Sequence, residues 1–211
     1  MVDVQIARRG VQDPNVLDAM RRVPREDFVE ARFKESAYED LPLPIGEQQT
    51  VSQPFMVAMM IEAAKVGPAD RVLEIGTGSG YAAAVLSRIV SEVYTVERYR
   101  SLADEAQQRF AKLGYANIGA RTGDGTLGWP EAAPFDAIVV SAGSPDVPQP
   151  LKEQLTIGGR LVIPVGNQDR RQTLLKIIRA GDDSFEEENL GPVMFVPLVG
   201  ERGWQEARSS P

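Results

Sequence analysis

The segment Val72-Leu73-Glu74-Ile75-Gly76-Thr77-Gly78-Ser79-Gly80-Tyr81 carries three glycines at two-residue spacing directly after an apolar run. Where side chains are missing, a ligand can lie against the backbone, and a helix starting there would offer free N–H groups. The chemistry implied is a nucleotide-like ligand at the carboxyl end of a strand. The glycines alone leave the nucleotide open. Counted from Gly76, the sixth position of a dinucleotide-type G-x-G-x-x-G is Tyr81; counted from Gly78 it is Ala83, a tolerated variant. Two further acids fall into register. Glu97 closes a second apolar run, where a carboxylate can accept from both ribose hydroxyls in either ligand class. Asp124, in Gly123-Asp124-Gly125, follows a third run, where an acceptor suits an adenine amino group. Each acid alone reads as a solvated strand end or a helix cap; three strand ends in step read as a ligand site.

The composition removes whole classes of chemistry. There is no cysteine and no histidine. Thiolate nucleophiles, disulfides, Fe–S clusters, histidine bases and histidine-ligated metals are excluded. The absence of cysteine also fits a reducing compartment, and a cytoplasmic location is expected. The formal net charge of −7 repels phosphate backbones, and the basic pairs Arg8-Arg9, Arg21-Arg22 and Arg170-Arg171 are short and lack interleaved aromatics, so no nucleic-acid partner is expected. No run of eighteen apolar residues is present, and Met1–Gly10 lacks a charged-then-apolar export layout, so neither a membrane partner nor secretion is expected.

These residues need a frame. Asp13-Pro14 opens a helix with the apolar stripe Val16, Leu17, Met20, and Phe28, Val29 and Phe33 suggest a second short helix. Residues 41–54 hold prolines and a glycine among Leu41, Leu43, Ile45 and Val51, which reads as a packed loop without regular structure. Ser52, followed by Pro54, should open a helix to about Lys65, closed by Gly67-Pro68. From Arg71 strands and helices alternate: strands over 71–75, 93–96, 118–122, 136–141 and 160–165, helices over 81–90, 101–113 and 151–155. Such alternation predicts an α/β fold with a doubly wound, mostly parallel sheet. Residues 173–179 and 193–199 are β-rich with only the acidic run Glu186-Glu187-Glu188 between them, so they should pair antiparallel at one edge, the acids forming a solvated turn. That makes seven strands in all.

A glycine turn, a Glu and an Asp at three successive strand ends resemble the S-adenosylmethionine-dependent methyltransferase pattern. After the fourth strand, Phe135–Pro145 lacks the Asn/Asp-Pro-Pro-aromatic motif of base-amine methylation, and C5 methylation of pyrimidines would need a cysteine. Metal-assisted catechol-type transfer would need a cluster of acids, and Asp136 and Asp146 find no third partner. From about Val11 to Val199 the chain resembles the protein-L-isoaspartate (D-aspartate) O-methyltransferases. The resemblance is carried by Val23–Val29, Leu43-Pro44-Ile45-Gly46, Gln49–Pro54, the Glu74–Tyr81 loop, Gly123-Asp124-Gly125, Phe135–Val140, Gly158–Gly166 and Phe195–Val199. Ala142-Gly143-Ser144-Pro145 departs from a more usual Ala-Ala-Pro, and the tail 201–211 matches nothing in the pattern.

The resemblance implies a single methyltransferase domain: a helical, substrate-covering extension over 1–66, a cofactor-binding α/β core over 67–200 and the tail. It implies S-adenosyl-L-methionine as cofactor, giving S-adenosyl-L-homocysteine, with no metal. The implied acceptor is the free carboxylate of L-isoaspartyl or D-aspartyl residues in damaged proteins. The ester then closes spontaneously to a succinimide, whose hydrolysis returns some normal aspartate. A carboxylate with a pKa near ~4 is already ionised at neutral pH and needs no base. The implied cofactor residues are Glu74, Gly76, Thr77, Gly78, Ser79, Gly80, Glu97, Arg98, Asp124 and Gly125. Ser52 is the implied active-site serine, a hydrogen-bonding group and not a nucleophile, the other role open to it being to cap its helix. Ile45, Gly46, Thr50, Val51, Val196, Pro197 and Leu198 are the implied peptide-channel residues. A monomer is expected.

Overall fold

The computed structural model describes residues 1–167 and 171–205. Arg170 and the tail beyond 205, on which two of the sequence expectations fall, lie outside the described residues. The chain starts with a wide helical turn at Val2–Ile6 and a tight one at Ala7–Arg9, neither signalled by the sequence pattern. Helix α1 (Pro14–Arg22) follows, with the Asp13 side chain accepting from Asn15 N–H and Val16, Ala19 and Met20 buried. The second helix expected near Phe28 is instead two single 3₁₀ turns, Arg25–Phe28 and Ala31–Phe33, separated by the extended Val29 and Glu30.

Residues 41–54 are more regular than their prolines suggest. Strands β1 (Leu43–Pro44) and β2 (Thr50–Val51) pair antiparallel, Leu43 opposite Val51, with Glu47 and Gln48 left-handed at the tip. Helix α2 (Pro54–Ala64) then buries Val57, Ala58, Met60, Ile61 and Ala64. It ends one turn before Gly67-Pro68, at Lys65 with φ of 50°.

The core runs β3 (Arg71–Ile75), α3 (Tyr81–Ser87), β4 (Glu92–Glu97), α4 (Arg100–Leu113), β5 (Ile118–Thr122), β6 (Phe135–Val140), α5 (Gln149–Glu153) and β7 (Leu155–Gly166). Strands β8 (Gln172–Arg179) and β9 (Phe185–Val193) complete a seven-stranded sheet in the order β5-β4-β3-β6-β7-β8-β9. The first five are parallel and the last two antiparallel, as the alternation predicted. Side-chain period 2 splits the core. Val72, Ala137, Val139 and Val162 face the layer built from α1, α2, α3 and Phe110 of α4. Leu73, Ile75, Ile138, Val140, Leu161 and Ile163 face the layer with Leu151 and Trp129.

The last strand corrects the sequence reading. Glu186, Glu187 and Glu188 lie inside β9, opposite Ile178, Ile177 and Lys176, and not in a turn. Glu188 accepts from Lys176 Nζ at 2.6 Å. The strand is solvated along most of its length, so it lacks the alternating apolar signal, and its charge discourages pairing with another chain. Residues 194–199, taken for a strand, instead leave the sheet and fold back over the strand ends.

Candidate active site

Strand β3 sits where the strand order reverses, with β4 on one side and β6 on the other. Ligands of open α/β sheets bind at the carboxyl ends of strands beside such a point. A cleft of about 780 Å³, counted to its open mouth, lies there.

The glycine turn forms one wall. Gly78 N–H donates to Glu97 Oε2 at 2.8 Å, and Tyr99 N–H to Glu97 Oε1 at 3.0 Å. Glu97 is buried, yet each carboxylate oxygen keeps a second lone pair for a ligand hydroxyl. Ser79 is held from behind, its carbonyl accepting from Arg109 of α4 at 2.7 Å. Its Oγ lines the cleft and is buried without a hydrogen-bond partner.

Glu74 borders the cleft but works beneath the turn. It accepts from Thr95 Oγ1 at 2.6 Å, and Thr95 Oγ1 lies 2.6 Å from Thr77 Oγ1. Burial, first, and the nearby Glu97 push the Glu74 carboxyl up to about 8, against the opposing hydrogen bonds from Thr95 and Ala83 N–H. Glu74 thus lines the cleft and also braces the turn against α3 through Thr95 and Ala83 N–H. Gly80 is likewise structural. It stands outside the cleft lining at φ 88°, and a Cβ there would lie 2.6 Å from the Phe110 ring.

Asp124 lies beside the main cleft and is partly engaged within the protein. Its Oδ1 accepts from Thr126 N–H and Oγ1, and its Oδ2 from Glu201 N–H at 2.7 Å. It is absent from the main cleft lining and borders an adjoining one with Arg98, Val199, Gly200 and Trp204. Arg98, Val199 and the neighbouring Gly125 bridge this space to the main cleft or line it.

The opposite wall is Gln49, Thr50, Val51 and Ser52 with Val196, Pro197 and Leu198. Ser52 does not cap α2: the N-cap residue is Gln53, and Asp40 from the preceding segment accepts from Phe55 N–H at 3.0 Å. Segment 194–199 is tied down by Gln172, whose amide accepts from Phe195 N–H at 2.8 Å and donates to Phe195 O at 3.2 Å. It is also bridged to the loop after β6, with Gly143 N–H on Val196 O and Leu198 N–H on Gly143 O, both 2.8 Å. A Cβ at Gly143 would lie 2.3 Å from the Gln172 amide, which gives the unusual Ala142-Gly143-Ser144-Pro145 sequence a packing reason. Ile45 and Gly46 fall outside the lining; Ile45 packs across the turn, 3.3 Å from where a Gly78 Cβ would stand. Lining residues that the sequence did not single out are Val57, Ala82, Tyr99 and Ser141. Tyr99, two residues beyond Glu97, was findable from its place after the strand. Asp136 sits at the far end of the sheet, accepting from Arg71 N–H at 2.8 Å.

Residues 1–203 match the family model described as protein-L-isoaspartate(D-aspartate) O-methyltransferase. The chain belongs to that family. It is 59% identical over 204 residues to protein-L-isoaspartate O-methyltransferase 2 of Pelobacter propionicus, covering 97% of this chain and 91% of that one. It is 54% identical over 210 residues to the Protochlamydia amoebophila protein-L-isoaspartate O-methyltransferase, covering both chains in full. Among solved structures, one protein-L-isoaspartate O-methyltransferase superposes with a TM-score of 0.85 at 33% identity over 93% of this chain; the present chain spans 64% of that one's length. A Plasmodium falciparum protein given the same assignment and solved in complex with S-adenosyl-L-homocysteine superposes at 0.80 and 25% identity, covering 92% of this chain and 94% of that one.

Proposed function

We propose that this protein methylates the free carboxylate of L-isoaspartyl residues, and of D-aspartyl residues, in damaged polypeptides, with S-adenosyl-L-methionine as donor. The observation that carries the reading is a single cleft walled by the glycine turn and Glu97 on one side and by Thr50-Val51-Ser52 and Val196-Pro197-Leu198 on the other. The donor side fits its group. Glu97 offers acceptor lone pairs for ribose hydroxyls, the unpaired Ser79 Oγ waits for a polar partner, and Gly76–Gly78 leave backbone room. Arg98, Asp124 and Gly125 would border the base. When bound, S-adenosyl-L-methionine supplies a methyl group on a positively charged sulfonium, open to in-line displacement.

The chain's own residues do the positioning. A carboxylate acceptor is ionised at neutral pH, so no residue need remove a proton, which suits a protein without histidine. Ser52 hydrogen-bonds the acceptor carboxylate, and Val196–Leu198 and Ile45 shape the peptide's path. Holding both partners close and aligned can account for much of the acceleration. Among the described residues, no helix is long and apolar enough to cross a membrane, and the absence of cysteine fits work in the reducing cytoplasm.

The test is turnover on an isoaspartyl peptide beside its normal aspartyl twin. Methyl ester formed on the first and not the second is expected. Equal rates on both, or methylation only of small hydroxylated molecules, would overturn the reading.

A further inference from the structure

Among the described residues, Arg25 is the largest side chain with no solvent exposure. Its hydrogen bonds go to carbonyl oxygens and not to a carboxylate. Nη1 donates to Ala37 O at 2.6 Å, and Nη2 donates to Ser52 O at 3.0 Å and Leu41 O at 3.4 Å, while Nε is buried without a partner. The guanidinium carbon lies 5.5 Å from the centre of the Tyr81 ring. Burial pulls its pKa down, and the Asp40 carboxylate opposes that; the buried Tyr81 phenol beside it stays neutral. A guanidinium still stays protonated at any working pH.

A buried cation held only by neutral oxygens is an expensive way to fill a core, and a hydrocarbon of similar volume is often no less stable. Its location supplies the reason. Ser52 and Tyr81 both line the cleft, and Arg25 stands directly behind both. The three carbonyls it gathers come from the covering segment, Ala37 and Leu41, and from the acceptor wall, Ser52. Asp40 grips the next residue from the other side, accepting from Gln53 Nε2 at 2.7 Å and from Phe55 N–H. Arg25 thus holds the Ser52 carbonyl, while Asp40, itself paired with Arg9, holds Gln53.

We infer that Arg25 is a positioning residue for the acceptor: it fixes the Ser52 backbone, and so the Ser52 hydroxyl, and sets a positive charge behind the wall that receives an anionic carboxylate. The inference rests on the acceptor reading of Ser52. It leaves the donor wall alone, because the glycine turn is braced separately, at Thr77 by Thr95 and at the Ser79 carbonyl by Arg109, and Glu97 is held by Gly78 and Tyr99 N–H.

The experiment is a double-mutant cycle of Arg25→Lys with Ser52→Ala, plus Arg25→Met where that variant folds. Steady-state kinetics on an isoaspartyl peptide are read beside S-adenosyl-L-homocysteine affinity by calorimetry, which also counts folded sites. The expectation for Arg25→Lys is a fall of roughly 10- to 100-fold in kcat/KM for peptide with less than about a 2-fold change in S-adenosyl-L-homocysteine affinity. Arg25→Met should fall further. On the Ser52→Ala background Arg25→Lys should cost little more, because residues acting through one another are non-additive. Additive losses, or parallel losses of peptide and cofactor binding, would reduce Arg25 to a fold determinant and overturn the inference. If Ser52→Ala keeps full activity while Arg25→Lys still weakens peptide alone, the role given to Ser52 fails and the positioning of the wall by Arg25 stands.

Discussion

Glu97 and Glu74 are both buried carboxylates at strand ends, yet their surroundings give them opposite tasks. Glu97 faces backbone N–H groups and an open cleft, an arrangement that suits a charged acceptor. Its removal should weaken S-adenosyl-L-methionine binding by more than ~1.5 kcal/mol, the scale of charge-assisted hydrogen bonds. Calorimetry on a folded Glu97→Ala protein checks this; unchanged affinity would refute the ribose assignment. Glu74 is sealed under the turn, with its carboxyl moved from an ordinary 4.5 to about 8. Between those values the folded protein holds a proton that the unfolded chain releases. The stability linked to this group is therefore complete at low pH and is lost as pH rises through about 8. With no histidine or cysteine, few other side chains titrate in that window. The wild-type melting temperature should fall between about pH 6 and about pH 9, and Glu74→Gln should flatten the fall. Identical slopes in the two proteins would show that Glu74 is not the titrating group.

At the scale of elements, the strand–turn–helix unit β3–α3 aims the donor wall, and glycine enters it for two separate reasons. Gly80 has a left-handed φ of 88° and also the Phe110 ring where a Cβ would stand, at 2.6 Å. Gly114, which closes α4, has φ 73° and open space around its missing Cβ. Gly114→Ala should therefore lose only the left-handed penalty of roughly 1–2 kcal/mol. Gly80→Ala adds overpacking of about 1–3 kcal/mol and displaces the turn. Urea unfolding should rank the two in that order, with S-adenosyl-L-homocysteine affinity lowered only in Gly80→Ala. Comparable losses would mean that Phe110 moves aside freely. Ser52 belongs to the same argument. Its junction between β2 and α2 resembles a capping site in sequence, but Gln53 takes the cap position and leaves Ser52 on the cleft.

Across the whole molecule, the two walls come from distant parts of the chain. Residues 49–52 and 196–198 meet over a turn built from residues 76–79. Among the described residues, no group of three or more Asp or Glu is gathered as a metal site; Asp136 and Asp146, the two acids once in question, are engaged with Arg71 N–H and Val147 N–H. Methyl transfer to an isoaspartyl peptide should thus proceed undiminished in excess EDTA. Activity lost to the chelator and restored by Mg²⁺ would point to metal-assisted transfer.

Much of this protein is written locally. The apolar runs, the glycine turn and the closing Glu97 fix the parallel core, since burial on both faces makes each strand a continuous hydrophobic signal. The missing histidine and cysteine fix the style of chemistry before any fold is known. Where the deciding partner is remote, the sequence misleads. Strand β9 is carried by backbone pairing to β8 at a solvated edge, so its acids read as a turn. Segment 194–199 has the composition of a strand, but Gln172 and Gly143 hold it over the site. Asp124 follows its strand as the sequence reads, but only the fold brings Glu201 N–H to it. Arg25 is one charged residue in a polar stretch until the fold closes Ala37, Leu41 and Ser52 around it. Periodicity records which face of an element is buried; only tertiary contact decides which polar groups are satisfied within the protein and which are left to meet a substrate.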